Sequence, residues 1–335
     1  MESAATEKFP LWVWIDPSSA CNLACALCYA KPSQNESHLS PQALKAILAK
    51  LIGDDRILIQ KLNFNWRGDP LMNPDFIELL QIIEQSAPYF PWEFHTNGTK
   101  ITPELAADIT SAVWSGKVFV SIDGGNDATH DRNRGSGSFQ KAVAGARSLL
   151  AARRDQARPE IGVFQLDLGL PESDYAREFL DVASRVDEWV RVRPVRPTDA
   201  KRITIHRKGK APALSAPSVS NKPSERWWTL DADEEAEVPA GPCFWAGNAV
   251  FIAPDGDVSI CLVSHTSDGV LGNLFSDPLD DILRKGGEFR RRISTRTRAG
   301  VPHCSSCKMS PGEPRQHLFM RGALTESLDP QGAFS

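Results

Sequence analysis

The chain has 335 residues, of which 41% are hydrophobic and 24% charged, and a net charge of −4. Such values suit one large domain, or a large one with a smaller one, able to bury a sizeable core. They exclude the basic surplus of a protein built to bind nucleic acid or an acidic membrane. No apolar run approaches the roughly 20 residues of a spanning helix. The start, "MESAATEKFP", lacks the basic and apolar regions of a signal peptide, so a cytoplasmic, reducing compartment is expected. There, seven cysteines read better as metal ligands than as disulfides.

The first expected strand, "LWVWI" (Leu11–Ile15), leads into "CNLACALCYA", where Cys21, Cys25 and Cys28 stand in a C-x3-C-x2-C array followed by Tyr29. A disulfide reading leaves an odd thiol. A closed zinc site wants a fourth ligand, and no histidine or cysteine lies close by in sequence. Three thiolates on a [4Fe–4S] cluster leave one iron open to an exogenous chelating group. Ser40-Pro41, Asn73-Pro74 and Thr102-Pro103 each place a capping side chain before a proline, and amphipathic helical patterns follow them. Between the helices, strands are expected at Lys61–Asn65, Trp92–Thr96, Lys117–Ile122, Glu160–Leu166 and Trp189–Val195. Alternating strands and helices imply βαβ units and a parallel α/β sheet, with functional loops at the carboxyl ends of the strands.

Those strand ends carry recognisable residues: "RGDP" (Arg67, Gly68, Asp69, Pro70), "HTNGT" with Asn97 and Gly98, and "SIDGG" with Ser121 and Asp123. Arg134 follows in a glycine-bearing segment. On residue chemistry alone, "GDP" and "TNG" also read as plain turns, and Arg134 as a surface arginine. Past Val195, "KGKAPALSAPSVSNKPSER" (Lys208–Arg226) reads as a linker, and "DADEEAE" (Asp231–Glu237) as a solvated loop. "ERWWTL", with Trp227 and Trp228, reads either as a substrate wall or as packing under the linker. A hairpin with Pro254-Asp255-Gly256 at its turn, a helix from about Pro278 and a closing "HCSSC" form a second unit. It holds Cys243, Cys261, Cys304 and Cys307, a pattern that a zinc ribbon shares.

The C-x3-C-x2-C-aromatic array after a strand resembles the signature of the radical S-adenosylmethionine (radical SAM) superfamily. The resemblance covers about Leu11 to Cys307. It implies an α/β fold, a partial (β/α)6 TIM-like barrel with a small C-terminal hairpin-plus-helix iron–sulfur domain. The implied boundaries are 1–200 for the barrel, 201–240 for a linker, 241–310 for the auxiliary domain and 311–335 for a tail. The second cysteine set is similar to a SPASM extension in its shortened, Twitch-like form, with one auxiliary [4Fe–4S] cluster on four cysteines.

What the resemblance implies for the site is specific. Cys21, Cys25 and Cys28 would hold the cluster that binds S-adenosyl-L-methionine, with Tyr29 beside it. "RGDP" looks like the family's Gly-Gly-Glu-Pro element, with Arg67 for the first glycine and Asp69 for the glutamate that holds the cofactor's amino group. Asn97 would shape the loop above the cofactor, Ser121 would bond the ribose, and Arg134, with Asp123 as a second polar candidate, would reach the methionine carboxylate. Leu166 or Leu168 would meet the adenine. The implied activity is hydrogen-atom abstraction by a 5′-deoxyadenosyl radical, supplied with electrons by a donor such as a flavodoxin or ferredoxin. Seven cysteines in seven ligand places leave no thiol to return a hydrogen atom, so net oxidation is expected over epimerisation. The expected substrate is a peptide or protein side chain, as for a maturase. A small sugar or cyclitol intermediate is the alternative, and the few residues before Cys21 count mildly for it. A scaffold that lost turnover is a third reading.

Overall fold

The computed structural model describes residues 9–26, 28, 36–153, 156–193, 202–207, 243–262, 269–294 and 304. Strands β1 (Phe9–Ile15), β2 (Ile57–Asn63), β3 (Trp92–Thr96), β4 (Lys117–Ser121), β5 (Glu160–Leu166) and β6 (Glu188–Arg193) lie side by side in chain order, each parallel to the next. Helices α1 (Pro41–Ile52), α2 (Phe76–Ser86), α3 (Pro103–Ala112), α4 (Asp127–Arg134), α5 (Ser138–Arg153) and α6 (Arg177–Arg185) occupy the connections. The expected partial (β/α)6 barrel is therefore present. Ser40 and Thr102 cap α1 and α3 through their side chains, as their Ser-Pro and Thr-Pro pairs imply.

Three elements differ from expectation. Strand β2 begins at Ile57, and Gln60 bulges out of it between the pairs Leu11–Ile59 and Trp12–Lys61. The bulge aims the Gln60 amide oxygen at the Trp12 indole N–H, 2.8 Å away. Helix α2 starts at Phe76 instead of Pro74, since Asn73 spends its side chain on a turn. Its Oδ1 accepts from Asp75 N at 2.8 Å, and its Nδ2 donates to the carbonyls of Pro17 and Leu39. Arg202–Arg207, in a stretch read as loop, forms β7, antiparallel to β6. The segments 208–242 and 311–335, with Trp227 and Trp228, lie outside the described residues.

The second unit adds α7 (Phe244–Asn248), β8 (Ala249–Ile252), β9 (Asp257–Ser259), β10 (Val270–Asn273) and α8 (Leu279–Ser294). Strand β8 pairs in parallel with the free edge of β1, and β9 and β10 follow antiparallel. One ten-stranded sheet results, in the order β10-β9-β8-β1-β2-β3-β4-β5-β6-β7. The β8–β9 turn is the expected Pro254-Asp255-Gly256. Gly256 has φ +90°, and a Cβ there would stand 2.5 Å from the Phe275 ring, so no other residue fits.

Strand β1 separates two apolar bodies. Val13 and Ile15 face the helices and join the main core with Leu44, Leu62, Phe64 and Phe94. Trp12 and Trp14 point the other way, into a second cluster with Trp66 and Phe251. At the amino-terminal end of the strands the barrel is closed by ion pairs, Lys61–Glu93 at 2.6 Å and Lys117 with Glu160 and Glu188 at 2.8 and 3.1 Å. With His95 stacked on Phe119 above them, they leave room for about one water molecule. A substrate must therefore come from the opposite end, where the cysteine loop lies.

Candidate active site

The loop after β1 is anchored at both of its ends. Ser18 Oγ meets His38 Nδ1 at 3.0 Å, and Ser19 exchanges backbone and side-chain bonds with Ser37. Farther along, Asn22 donates to Thr99 Oγ1 at 2.8 Å, and Ala26 N donates to Asn133 O at 2.8 Å. The loops after β3 and the end of α4 thus hold the cysteine loop in place. Cys21 and Cys25 are half-buried and Cys28 is exposed. Burial pushes the Cys21 thiol up, with help from the Asp69 charge. Burial likewise raises Cys25, against the pull of Arg134. Tyr29 lies outside the described residues.

"RGDP" sits directly beneath that loop. A Cβ on Gly68 would lie 2.1 Å from Ser18 O and 2.3 Å from Ala20 O, so only glycine permits this approach. The next residue's N–H donates to Ala20 O at 2.8 Å. Asp69 is buried and its carboxylate takes bonds from Leu71 N (3.0 Å), Thr96 Oγ1 (3.0 Å) and Asn97 N (2.7 Å). Three protein donors leave it about one acceptor site for a ligand. Burial raises its proton affinity against those hydrogen bonds. Pro70 is buried and opens the short 3-10 turn Pro70–Met72 that Asp69 caps. Asn97 Nδ2 bonds Asn22 Oδ1 at 2.9 Å and lies 4.0 Å from the Cys21 sulfur.

Arg67 and Arg134 both have protein partners. Arg67 Nε donates to Asp16 Oδ2 at 3.1 Å, and its guanidinium lies 4.6 Å over the Trp66 ring. Asp16, the residue after β1, carries no motif; its one sequence signal is that Trp12, Trp14 and Asp16 share a strand face. It is fully buried, its other oxygen has no partner, and burial raises it to about 6 despite Arg67. Arg134 grips Asp123 with two nitrogens, Nε to Oδ2 at 2.6 Å and Nη2 to Oδ1 at 3.2 Å. Asp123 also accepts from Asn133 Nδ2 and Leu166 N. Burial would raise it, but the Arg134 guanidinium and these bonds hold it below the usual carboxylate range. The charge of Arg134 reaches both Cys25 and Asp69. His130 donates nothing to this network: its Nδ1 accepts from Asp123 N, and burial with the Arg134 charge lowers it to about 4, leaving the ring neutral. Ser121 is half-buried at the end of β4, Leu166 half-buried at the end of β5, and Leu168 buried in the loop after it.

In the second unit, Cys243 stands at the amino end of α7 and Cys261 follows the β8–β9 hairpin. Cys304 is buried against the core that Cys243 borders, while Cys307 lies outside the described residues.

The Radical SAM superfamily model matches residues 15–181, and an iron–sulfur cluster-binding domain model, SPASM, matches residues 243–308. A mycofactocin maturase from Mycolicibacterium smegmatis is 30% identical over 318 residues, 89% of this chain and 75% of its own. The chain belongs to the radical SAM superfamily. A second mycofactocin maturase, from Mycobacterium tuberculosis, is 27% identical over 96% of this chain and 82% of its own. Among solved folds, this radical SAM chain resembles Streptococcus suis SuiB bound to precursor peptide SuiA, with a TM-score of 0.59 at 14% identity over 93% of this chain and 73% of that one. Native anSMEcpe with bound AdoMet gives 0.57 at 16% identity over 85% and 84%.

A radical SAM enzyme depends on S-adenosyl-L-methionine and [4Fe–4S] clusters, and the residues present fit both. Among the described residues no three His, Cys, Asp or Glu side chains converge closely enough for a single metal ion. Among the described residues the donor set of the first loop is three thiols. Beside them stand a buried carboxylate with acceptor capacity to spare and a half-buried arginine, a chemistry that suits an amino acid's amino and carboxylate groups.

Two outcomes follow for the cluster-free protein. Asp123→Ala leaves the half-buried Arg134 guanidinium without its counter-charge and should cost about 2–4 kcal/mol in equilibrium unfolding; a loss below about 1 kcal/mol would contradict the pairing. Asp16 binds a proton more tightly folded than unfolded, so its contribution is full below about pH 4 and is lost as pH rises through about 6. Between pH 5 and 7, wild-type stability should therefore fall relative to Asp16→Asn by on the order of 1 kcal/mol. Parallel pH profiles for the two proteins would refute the buried, proton-hungry Asp16.

Proposed function

We propose that this enzyme is a peptide maturase that oxidises a side chain of its substrate, by dehydrogenation or by forming a cross-link. The observation that carries the reading is similarity to mycofactocin maturases along nearly the whole chain. The direction of the chemistry rests on thiol count. All seven cysteines fall at ligand positions, Cys21, Cys25 and Cys28 for one cluster and Cys243, Cys261, Cys304 and Cys307 for an auxiliary one. No thiol remains to return a hydrogen atom to a substrate radical. The working boundaries are a barrel over 1–200, a linker over 201–240 and an auxiliary domain over 241–310. A flavodoxin or ferredoxin is the proposed electron donor.

When bound, reduced cluster and S-adenosylmethionine supply a 5′-deoxyadenosyl radical that takes a hydrogen atom from a substrate C–H. The chain's own residues do the holding. Asp69 offers its remaining acceptor site to the cofactor's amino group, with Gly68 and Pro70 shaping the turn and Asn97 bracing the loop above. Arg134, kept rigid by Asp123, offers its uncommitted N–H groups to the carboxylate. Ser121 takes the ribose, Leu168 the adenine face, and Tyr29 flanks the first cluster. Arg67 acts through Asp16 to fix the wall of the site.

The test uses anaerobically reconstituted protein, the mycofactocin precursor peptide, reductant and S-adenosylmethionine in heavy water. Wild type should hold about eight irons and the Cys21/Cys25/Cys28→Ala variant about four. The peptide should emerge two hydrogens lighter or cross-linked, without solvent deuterium at the attacked carbon. Turnover of an aminocyclitol instead of the peptide, or a deuterated carbon of inverted configuration, would overturn the proposal.

A further inference from the structure

The two cysteine sets are bridged by a buried route that neither motif accounts for. Asp69 N–H donates to Ala20 O at 2.8 Å, and Ala20 adjoins Cys21. Three positions before Asp69 stands Trp66, buried, whose indole N–H donates to Leu262 O at 2.9 Å. Leu262 adjoins Cys261. From Cys21 to Cys261 the path is thus covalent chain interrupted by two short hydrogen bonds. A second strand of contacts runs through the rings. Trp66 lies 5.2 Å from Phe251, Phe251 lies 5.1 Å from Trp14, and Trp14 lies 5.3 Å from Trp245, two residues after Cys243.

Seating β8 on β1 calls for an apolar contact, which aliphatic side chains would also provide. A buried indole has the added demand of a partner for its N–H. Here that partner belongs to the other unit, next to a cluster ligand, while the same residue opens the cofactor loop.

We propose that Trp66 carries an electron between the auxiliary cluster and the cluster on Cys21, Cys25 and Cys28. In that step a reduced auxiliary [4Fe–4S] cluster loses one electron, an oxidised first cluster gains it, and no bond or proton changes hands. The inference needs both clusters bound and is independent of the substrate class.

The experiment takes holoprotein with about eight irons, reduced at both clusters, freed of reductant by gel filtration and mixed with S-adenosylmethionine alone. Each cofactor cleavage consumes one electron at the first cluster, and the auxiliary cluster's EPR signal reports the second electron. Wild type should form two 5′-deoxyadenosine per chain as that signal decays. Trp66→Leu should form the first at the wild-type rate, with decay of the auxiliary signal slowed about tenfold or more. Trp66→Phe keeps a ring but loses the hydrogen bond and should slow the decay severalfold. The proposal fails if wild type keeps its auxiliary signal after the first cleavage. It fails equally if Trp66→Leu with full iron decays at the wild-type rate. Should the leucine variant not load iron, an unchanged rate in Trp66→Phe overturns it. A wild type with only four irons removes the auxiliary cluster itself, whatever the peptide assay shows.

Discussion

Strand β1 is hydrogen-bonded along both edges, to β2 on one side and β8 on the other. That double pairing positions everything chemical in the molecule. The strand's carboxyl end cannot fray, because Asp16 N still donates to Ile252 O at 2.9 Å beyond the last strand residue. The cysteine loop therefore leaves from a fixed point. The same pairing sets the hairpin of the auxiliary unit beside it, so two cysteine sets far apart in sequence share one sheet. The strict alternation of β1 gives each face a purpose: Val13 and Ile15 hold the helices, while Trp12 and Trp14 face the seam toward the second unit.

Around that fixed loop the site is organised by buried charge. Asp69, Asp16 and Asp123 are all withdrawn from water, and Arg134 largely so, a costly arrangement unless each is paired or hydrogen-bonded. Asp123 with Arg134 meets the cost in full, as a two-nitrogen clasp that also ties α4 to the ends of β4 and β5. Asp69 meets it with donors from two loops and so latches the segment after β2 to the segment after β3. Asp16 meets it only in part, having one bare oxygen, and burial raises its proton affinity against the pull of Arg67. A site built this way presents fixed dipoles and charges without rearranging when a zwitterionic ligand arrives.

Much of this was legible in the sequence, and the omissions share a cause. Thiols at C-x3-C-x2-C spacing announce themselves because their chemistry is local, and β3 and β5 stand at the boundaries their apolar pattern marks. The cap-proline pairs gave the starts of α1 and α3 for the same reason. Asn73-Pro74 misled by two residues, because the Asn73 side chain is held by Pro17 and Leu39, contacts that no local pattern encodes. Arg134 read as an arginine open to a carboxylate ligand, yet its first partner is Asp123, eleven residues away and brought near only by the turn into α4. Asp16 was invisible as a site residue, and Trp66 as a link between the two units. Their meaning comes from Arg67 and from Leu262, the latter almost two hundred positions distant. Strand β7 was hidden because only Ile203 and Ile205 alternate within a basic stretch.

The central claim is that the loop after β1 holds a cluster whose open iron takes the amino acid end of S-adenosylmethionine. Electron–nuclear double resonance on the reduced enzyme with 15N-labelled methionine in the cofactor measures this directly. A strong nitrogen coupling to the cluster should appear in wild type and persist when the auxiliary cysteines Cys243 and Cys261 are replaced. A cluster on Cys21, Cys25 and Cys28 with no nitrogen coupling from bound cofactor would contradict the account.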